Sequence, residues 1–204
     1  MDGIELLGWW CTALSVAFVW PQVARVYRQH TVDGIAPKGT LHGATASALW
    51  MLYGLATGDA AISAANAAVV VAMTLIAVQQ VRHGVLPLRT AVGTALVVAA
   101  VGGMAVAISP TVVGWLAIAA GATSVLPQTV HVLRAPTLHG VSVPTYLLLC
   151  LTTLSWATYG VLIGDPLVVV TNLLVLPCAA LVMTRTWAAQ RRASLTPLED
   201  TAFA

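Results

Sequence analysis

Charged residues cut this chain into uncharged runs of a length that suits membrane-spanning helices. Between Glu5 and Arg25 lie 19 uncharged residues, between Lys38 and Asp59 lie 20, and between Asp59 and Arg82 lie 22. The run from Arg89 to Arg134 is 44 long, with Ser109-Pro110 near its middle, and so divides into two spans and a turn. Arg134 to Asp165 holds a polar loop and one span, and Asp165 to Arg185 gives 19 more. An α-helix needs about 20 apolar residues to cross a hydrocarbon core of roughly 30 Å. The expectation is an all-α membrane protein of seven transmembrane helices, near 4–26, 40–57, 60–82, 89–108, 112–133, 143–163 and 166–187. Composition agrees. Only 8% of the residues are charged, against about 25% in a soluble domain, too few to cover a water-soluble globule.

The charges also orient the chain. All nine Lys and Arg residues (25, 28, 38, 82, 89, 134, 185, 191 and 192) fall at helix ends or loops on one side. The other side has Asp2, Glu5, Asp59 and Asp165 and no basic residue. The positive-inside rule then predicts an outside N-terminus and a cytoplasmic C-terminus in a plasma membrane. The acidic start MDGIELLGWW lacks the basic leading region of a cleaved signal peptide. A formal net charge of +2 reflects this topology. Basic residues scattered along a membrane face do not suit a nucleic-acid partner. Cys11, Cys150 and Cys178 lie within expected spans without metal-ligand spacing and are expected to pack as buried thiols.

Sliding the chain against itself by 106 residues aligns two copies without a gap. Gly8-Trp9 falls on Gly114-Trp115, Pro21-Gln22 on Pro127-Gln128, Arg28 on Arg134, Thr31 on Thr137 and Gly34 on Gly140. WMLYGLATGD at 50–59 matches WATYGVLIGD at 156–165, and Asn66 matches Asn172. Self-similarity at one period marks a repeat architecture. The expected organisation is a first triple-helix repeat at 1–86, a connector helix at 87–110, a second triple-helix repeat at 111–187 and a cytoplasmic tail at 188–204. The connector has no counterpart in either half. A three-helix unit ends on the opposite side from its start, so one extra crossing gives two parallel bundles the same orientation.

Trp50 and Asn66 sit on consecutive helices joined by the Gly58-Asp59 turn, eight residues before Gly58 and seven after Asp59. At about 1.5 Å per residue both lie roughly 10–12 Å below the surface, level with one another. Trp156 and Asn172 repeat this around Gly164-Asp165. Pseudo-twofold packing would gather both pairs around one cavity. Indole faces stack on the C–H surface of a sugar ring, and carboxamides offer donors and acceptors to its hydroxyls. A lone Trp can equally pack, and a lone Asn can bond a neighbouring helix. Duplication at one depth favours a substrate-binding site formed by Trp50, Asn66, Trp156 and Asn172. Pro21 and Pro127 lie deeper toward the basic side. A helix proline removes one backbone hydrogen bond and lets the helix bend, while the following Gln22 or Gln128 can satisfy orphaned groups. These four are candidates for a hinge and inner gate, although a static kink is the plainer account.

The Pro-Gln helix, the T-x-x-G-[IV] step, W-x-x-Y-G-x-x-x-G-D and an Asn sixteen residues after the Trp resemble the PQ-loop superfamily, most of all the SWEET and SemiSWEET sugar transporters. The resemblance covers about 8–70 and 114–176. It implies alternating access between parallel repeats, a pattern for which SWEETs are a named example, and a substrate site lined by the Trp and Asn positions. It also implies an outer gate at Tyr53, Asp59, Tyr159 and Asp165, since a phenol can donate to a carboxylate. Some relatives carry an arginine two residues before the Asp, where this chain has Thr57 and Ile163. Helix capping by the two aspartates is the competing account.

The function expected is facilitative uniport of a mono- or disaccharide, without cofactor or metal and without catalytic residues. The partners expected are the small-molecule substrate and the lipid bilayer; a homo-oligomer is compatible but not required. Two alternatives stand beside it: a proton-coupled, cystine-like amino-acid carrier, and a non-transporting PQ-loop receptor. None of the seven acids lies mid-span, which favours passive transport. No nucleophile–base set or phosphate loop suggests an enzyme. Trp9, Trp10, Trp115 and Trp187 suit interfacial belts. His30, His42, His83, His131 and His139 are placed at cytoplasmic loops with no chemistry assigned.

Overall fold

The computed structural model describes residues 1–134 and 142–195, the side chains at 124–128, 131 and 193–195 excepted. Thr137, His139, Gly140 and the tail from 196 lie outside the described residues. Among the described residues the chain forms helices α1 (Gly3–Gln29), α2 (Pro37–Thr57), α3 (Ala60–Arg82), α4 (Leu88–Ile108), α5 (Pro110–Arg134), α6 (Val143–Leu162) and α7 (Pro166–Leu195).

The boundaries follow local chemistry. Asp2 caps α1 by accepting from the Glu5 amide at 2.7 Å, and Ser142 caps α6 through the Thr145 amide. Proline opens α2, where a missing N–H costs nothing. At the two equivalent turns the chain reverses through Gly58 (φ 75°) and Gly164 (φ 70°), left-handed conformations that a side chain would strain. Helix α7 runs past the expected end at 187 to Leu195. Alanine, glutamine and arginine continue a helix readily, and the Arg191 guanidinium lies 4.7 Å from the centre of the Trp187 ring one turn back.

Among the described residues five helices (α1, α3, α4, α6 and α7) are long and apolar enough to cross a membrane, and α5 contributes the apolar stretch Pro110–Thr123. The structure has the seven helices expected, and among the described residues five of them qualify as spans by length and apolarity. Helix α2 falls short because it carries Thr40, His42, Thr45 and Ser47 along its first half. It also packs against α3, α4 and α5 at once, so it has less need of a lipid-facing surface.

The packing has a twofold pattern. Helix α3 lies against α1 and α2, as α7 lies against α5 and α6; across the halves α2 meets α5 and α1 meets α6. Helix α4 packs on α2 and α5. The largest core cluster sits toward the end bearing Asp59 and Asp165 and joins both halves through Cys11, Tyr53, Ile62, Val113, Tyr159 and Val168. Toward the basic end the described core splits. Val19, Val23, Ala72 and Ile76 form a cluster wholly in the first repeat, and Val132 packs with Val182 in the second. Among the described residues the halves are therefore fused at the acidic end and hold separate clusters at the other.

Candidate functional site

A cavity of about 160 Å³ lies between the halves, lined by Trp50, Asn66, Trp156 and Asn172 together with Ile62, Val168 and Thr171. The helical rise that puts Trp50 level with Asn66 operates twice, and the twofold packing turns both pairs inward. Asn66 donates one amide hydrogen to the Ile62 carbonyl at 2.9 Å, and Asn172 donates to that of Val168 at 2.8 Å. Each carboxamide is thereby anchored to its own helix, with its oxygen and second N–H still available to a ligand.

The two tryptophans differ. Trp156 Nε1 donates to Ser15 Oγ at 3.1 Å, and Ser15 donates in turn to the Cys11 carbonyl. The residue equivalent to Ser15 at the 106-residue offset is Gly121. A Cβ placed there would lie in ordinary contact with Trp50 Nε1 and Thr171 Cγ2, each at 3.9 Å, so the twofold site has a bare backbone on one side where the other holds a hydroxyl.

Directly above each indole stands a tyrosine. Trp50 and Tyr53 pack edge to face with ring centres 5.3 Å apart, and Trp156 and Tyr159 do so at 5.6 Å. Both phenols reach across to the other repeat: Tyr53 donates to Asp165 Oδ2 at 2.7 Å, and Tyr159 donates to Asp59 Oδ2 at 2.8 Å. The carboxylates also cap helices. Asp59 Oδ1 accepts from the Ile62 amide at 2.8 Å, and Asp165 Oδ1 accepts from Leu167 and Val168 at 2.9 and 3.2 Å. A bond across the halves and a helix cap are thus not alternatives, because each carboxylate gives one oxygen to each. Capping holds the carboxylate rigid, and this lets its second oxygen serve as a fixed acceptor for a side chain from the opposite half.

Sequence reasoning left Gly8 and Gly114 without a role, although their equivalence was visible. A Cβ on Gly8 would meet Tyr159 Cε2 at 2.9 Å, and one on Gly114 would meet Tyr53 Cε2 at 3.0 Å. The missing side chains leave room for each phenol ring, and equally for Ala61 and Leu167, whose side-chain atoms would lie 2.8 and 2.6 Å from the added Cβ.

Other expectations are revised. His42 is not in a loop. It lies in the second turn of α2, half-buried, with Nε2 2.7 Å from the Ala120 carbonyl and 3.2 Å from Thr123 Oγ1 of α5. A carbonyl oxygen only accepts, so this nitrogen carries the proton. Placement in a loop disagrees even with the helix expected at 40–57, which already contains residue 42. Trp10, assigned to an interfacial belt, also donates Nε1 to Ser155 Oγ across the halves at 3.3 Å. Pro21 is exposed in a continuous α1, and Gln22 makes no side-chain hydrogen bond among the described residues. The side chains of Pro127 and Gln128 lie outside the described residues, while the helix α5 runs through both positions. A further helix proline that the repeat could not flag, Pro177, lies inside α7. Cys11 is fully buried, and Cys150 and Cys178 are half-buried free thiols.

Two families match the chain: the one described as PQ loop repeat over residues 3–62, and the one described as Sugar efflux transporter for intercellular exchange over residues 112–190. Among solved structures, one described as the 3.7 A resolution structure of a eukaryotic SWEET transporter is similar, with a TM-score of 0.75 at 15% identity. The match covers 93% of this chain and 100% of that one, and at such identity the likeness is one of fold. No curated protein matches the chain.

Proposed function

Since the chain is a PQ-loop protein of the SWEET type, we propose that it is a membrane transporter moving a small sugar by facilitative uniport, with alternating access about the Trp50, Asn66, Trp156 and Asn172 site. The observation that carries this is one cavity between two repeats, lined by both Trp–Asn pairs and closed at the acidic end by reciprocal Tyr–Asp bonds. Stacking surface and fixed carboxamides in one chamber suit a molecule with apolar C–H faces and a hydroxyl rim. An engineered cavity of roughly 150 Å³ admits benzene, so about 160 Å³ suits a single sugar ring in this closed shape.

The architecture in this reading is a 3+1+3 arrangement of seven spans. Residues 1–86 and 111–187 form the parallel bundles, 87–110 the connector, and the segment from 188 a cytoplasmic tail whose first part continues α7. The chain is oriented with its N-terminus outside a plasma membrane. Tyr53, Asp59, Tyr159 and Asp165 form the outer gate. Pro21, Gln22, Pro127 and Gln128 provide the hinge on the inner side, where the described cores of the two halves are separate.

The test is transport into liposomes by counterflow. Asn66→Ala combined with Asn172→Ala is expected to abolish uptake of labelled monosaccharide while the protein still inserts and keeps its helical content. Unchanged transport would remove the proposed site. Running the assay with labelled amino acids, and with an imposed pH gradient, separates the sugar uniporter from a proton-coupled amino-acid carrier.

A further inference from the structure

A second concavity, of about 640 Å³, lies outside the transport path, bounded by α2, α3 and α4. It arises because the connector packs on α2 and α5 and leaves a gap beside α3. The repeat supplies no second copy, since α4 has no equivalent. Along α4 the gap runs from Leu88 to Ala99, eleven steps of about 1.5 Å, or roughly 17 Å. That is about half of a 30 Å hydrocarbon core, the depth of one leaflet. Its walls are aliphatic, with Leu41 and Met51 on α2, Val70 and Val78 on α3, and Val92 and Val98 on α4.

One end is different. Arg82 lines the mouth at the basic side, and Arg89 follows in the first turn of α4. Helices α2, α3 and α4 contain no acidic residue, and no Asp or Glu occurs between Asp59 and Asp165. Neither arginine forms an ion pair within the described residues. An apolar slot one leaflet deep, with Arg82 at its mouth and no acidic partner for it among the described residues, matches an acyl chain attached to an anionic headgroup.

We infer that this groove is a binding site for one anionic phospholipid of the leaflet on the basic side, its acyl chain lying along α3 and α4 and its phosphate held by Arg82. A lipid so placed fills the gap between α3 and the connector, so it fastens α4 to the first repeat. The site is independent of what the central cavity carries.

The inference is tested by native mass spectrometry of the purified full chain exchanged with phosphatidylglycerol or with phosphatidylcholine of identical acyl chains. The wild type is expected to retain one phosphatidylglycerol in preference to phosphatidylcholine. Arg82→Gln should weaken that retention by about tenfold, the loss of one charge-assisted hydrogen bond. Arg82→Lys should restore most of it, and Arg25→Gln, on the same side but away from the groove, should leave it intact. Ala95→Phe, which fills the slot, should displace both lipids; if that variant misfolds, the Arg82 pair decides alone. Equal retention of the two lipids, or no effect of Arg82→Gln, overturns the inference. So does a chain that self-associates through this face and becomes monomeric in Ala95→Phe.

Discussion

Two phenol hydroxyls decide how firmly the acidic end is held. Hydrogen bonds to charged groups contribute about 1.5–3 kcal/mol each, with solvent exposure favouring the lower value. Removing both, in Tyr53→Phe with Tyr159→Phe, leaves the aromatic packing on Trp50 and Trp156 and the helix caps in place. The ratio of closed to open molecules should then fall by about tenfold for each bond lost. Spin labels at Thr57→Cys and Ile163→Cys, in a chain whose native cysteines are replaced, would read this as a growing population at longer distance. An unchanged distribution would leave the aspartates as caps and nothing more. The glycines beneath these rings act in the same sense. A methyl group at position 8, 2.9 Å from the Tyr159 ring, must displace it, and overpacking of about 1–3 kcal/mol outweighs the gain of roughly 1 kcal/mol in helix propensity.

At the scale of the helix, Pro21 raises a question of rate rather than affinity. It sits in the second half of α1, about five turns from Gly3, beyond the level of the indoles, and it is not among the residues that line the cavity. Replacing it and Pro127 by alanine restores the missing hydrogen bonds and stiffens both helices. The expected result is a transport rate about tenfold lower, equivalent to about 1.4 kcal/mol on the barrier, with sugar affinity by tryptophan fluorescence little changed. Weakened binding at an unaltered rate would assign the prolines to the site instead of the hinge. What was legible at this scale is the regular part. Fixed helical rise placed Trp50 level with Asn66, and the offset of 106 residues paired every motif with its copy. The irregular part was not legible. Nothing in the sequence says that Tyr53 meets Asp165 rather than Asp59, because that choice is made by packing one repeat on the other. The role of His42 was not legible either, because its partners Ala120 and Thr123 lie on α5, 78 and 81 residues away. The extension of α7 to Leu195 was missed because charge was taken as the end of a span, when Arg191 continues the helix by lying over Trp187.

For the whole molecule the basic residues do what no single helix can. The ends of α1, α3, α5 and α7 and the starts of α2 and α4 all bring Lys or Arg to one face, while Asp59 and Asp165 cap turns on the other. Insertion penalises carrying basic residues across a membrane, and the bias is counted over short loops such as these. In the proposed parallel arrangement both repeats run in the same direction, so their charge asymmetries add instead of cancelling. In the proposed orientation the fused end of the described core faces outward and the two separate clusters lie on the cytoplasmic side. A single cysteine at Thr57 should react with a membrane-impermeant maleimide in intact cells, whereas one at His83 should react only after permeabilisation. The opposite labelling would invert the assignment of outer and inner gates while leaving the reciprocal Tyr–Asp contacts untouched. Placing two lysines beside the Gly164 turn should weaken the bias and yield molecules labelled at both positions. This follows because the preference comes from the balance of charge between the faces and not from the identity of any one arginine.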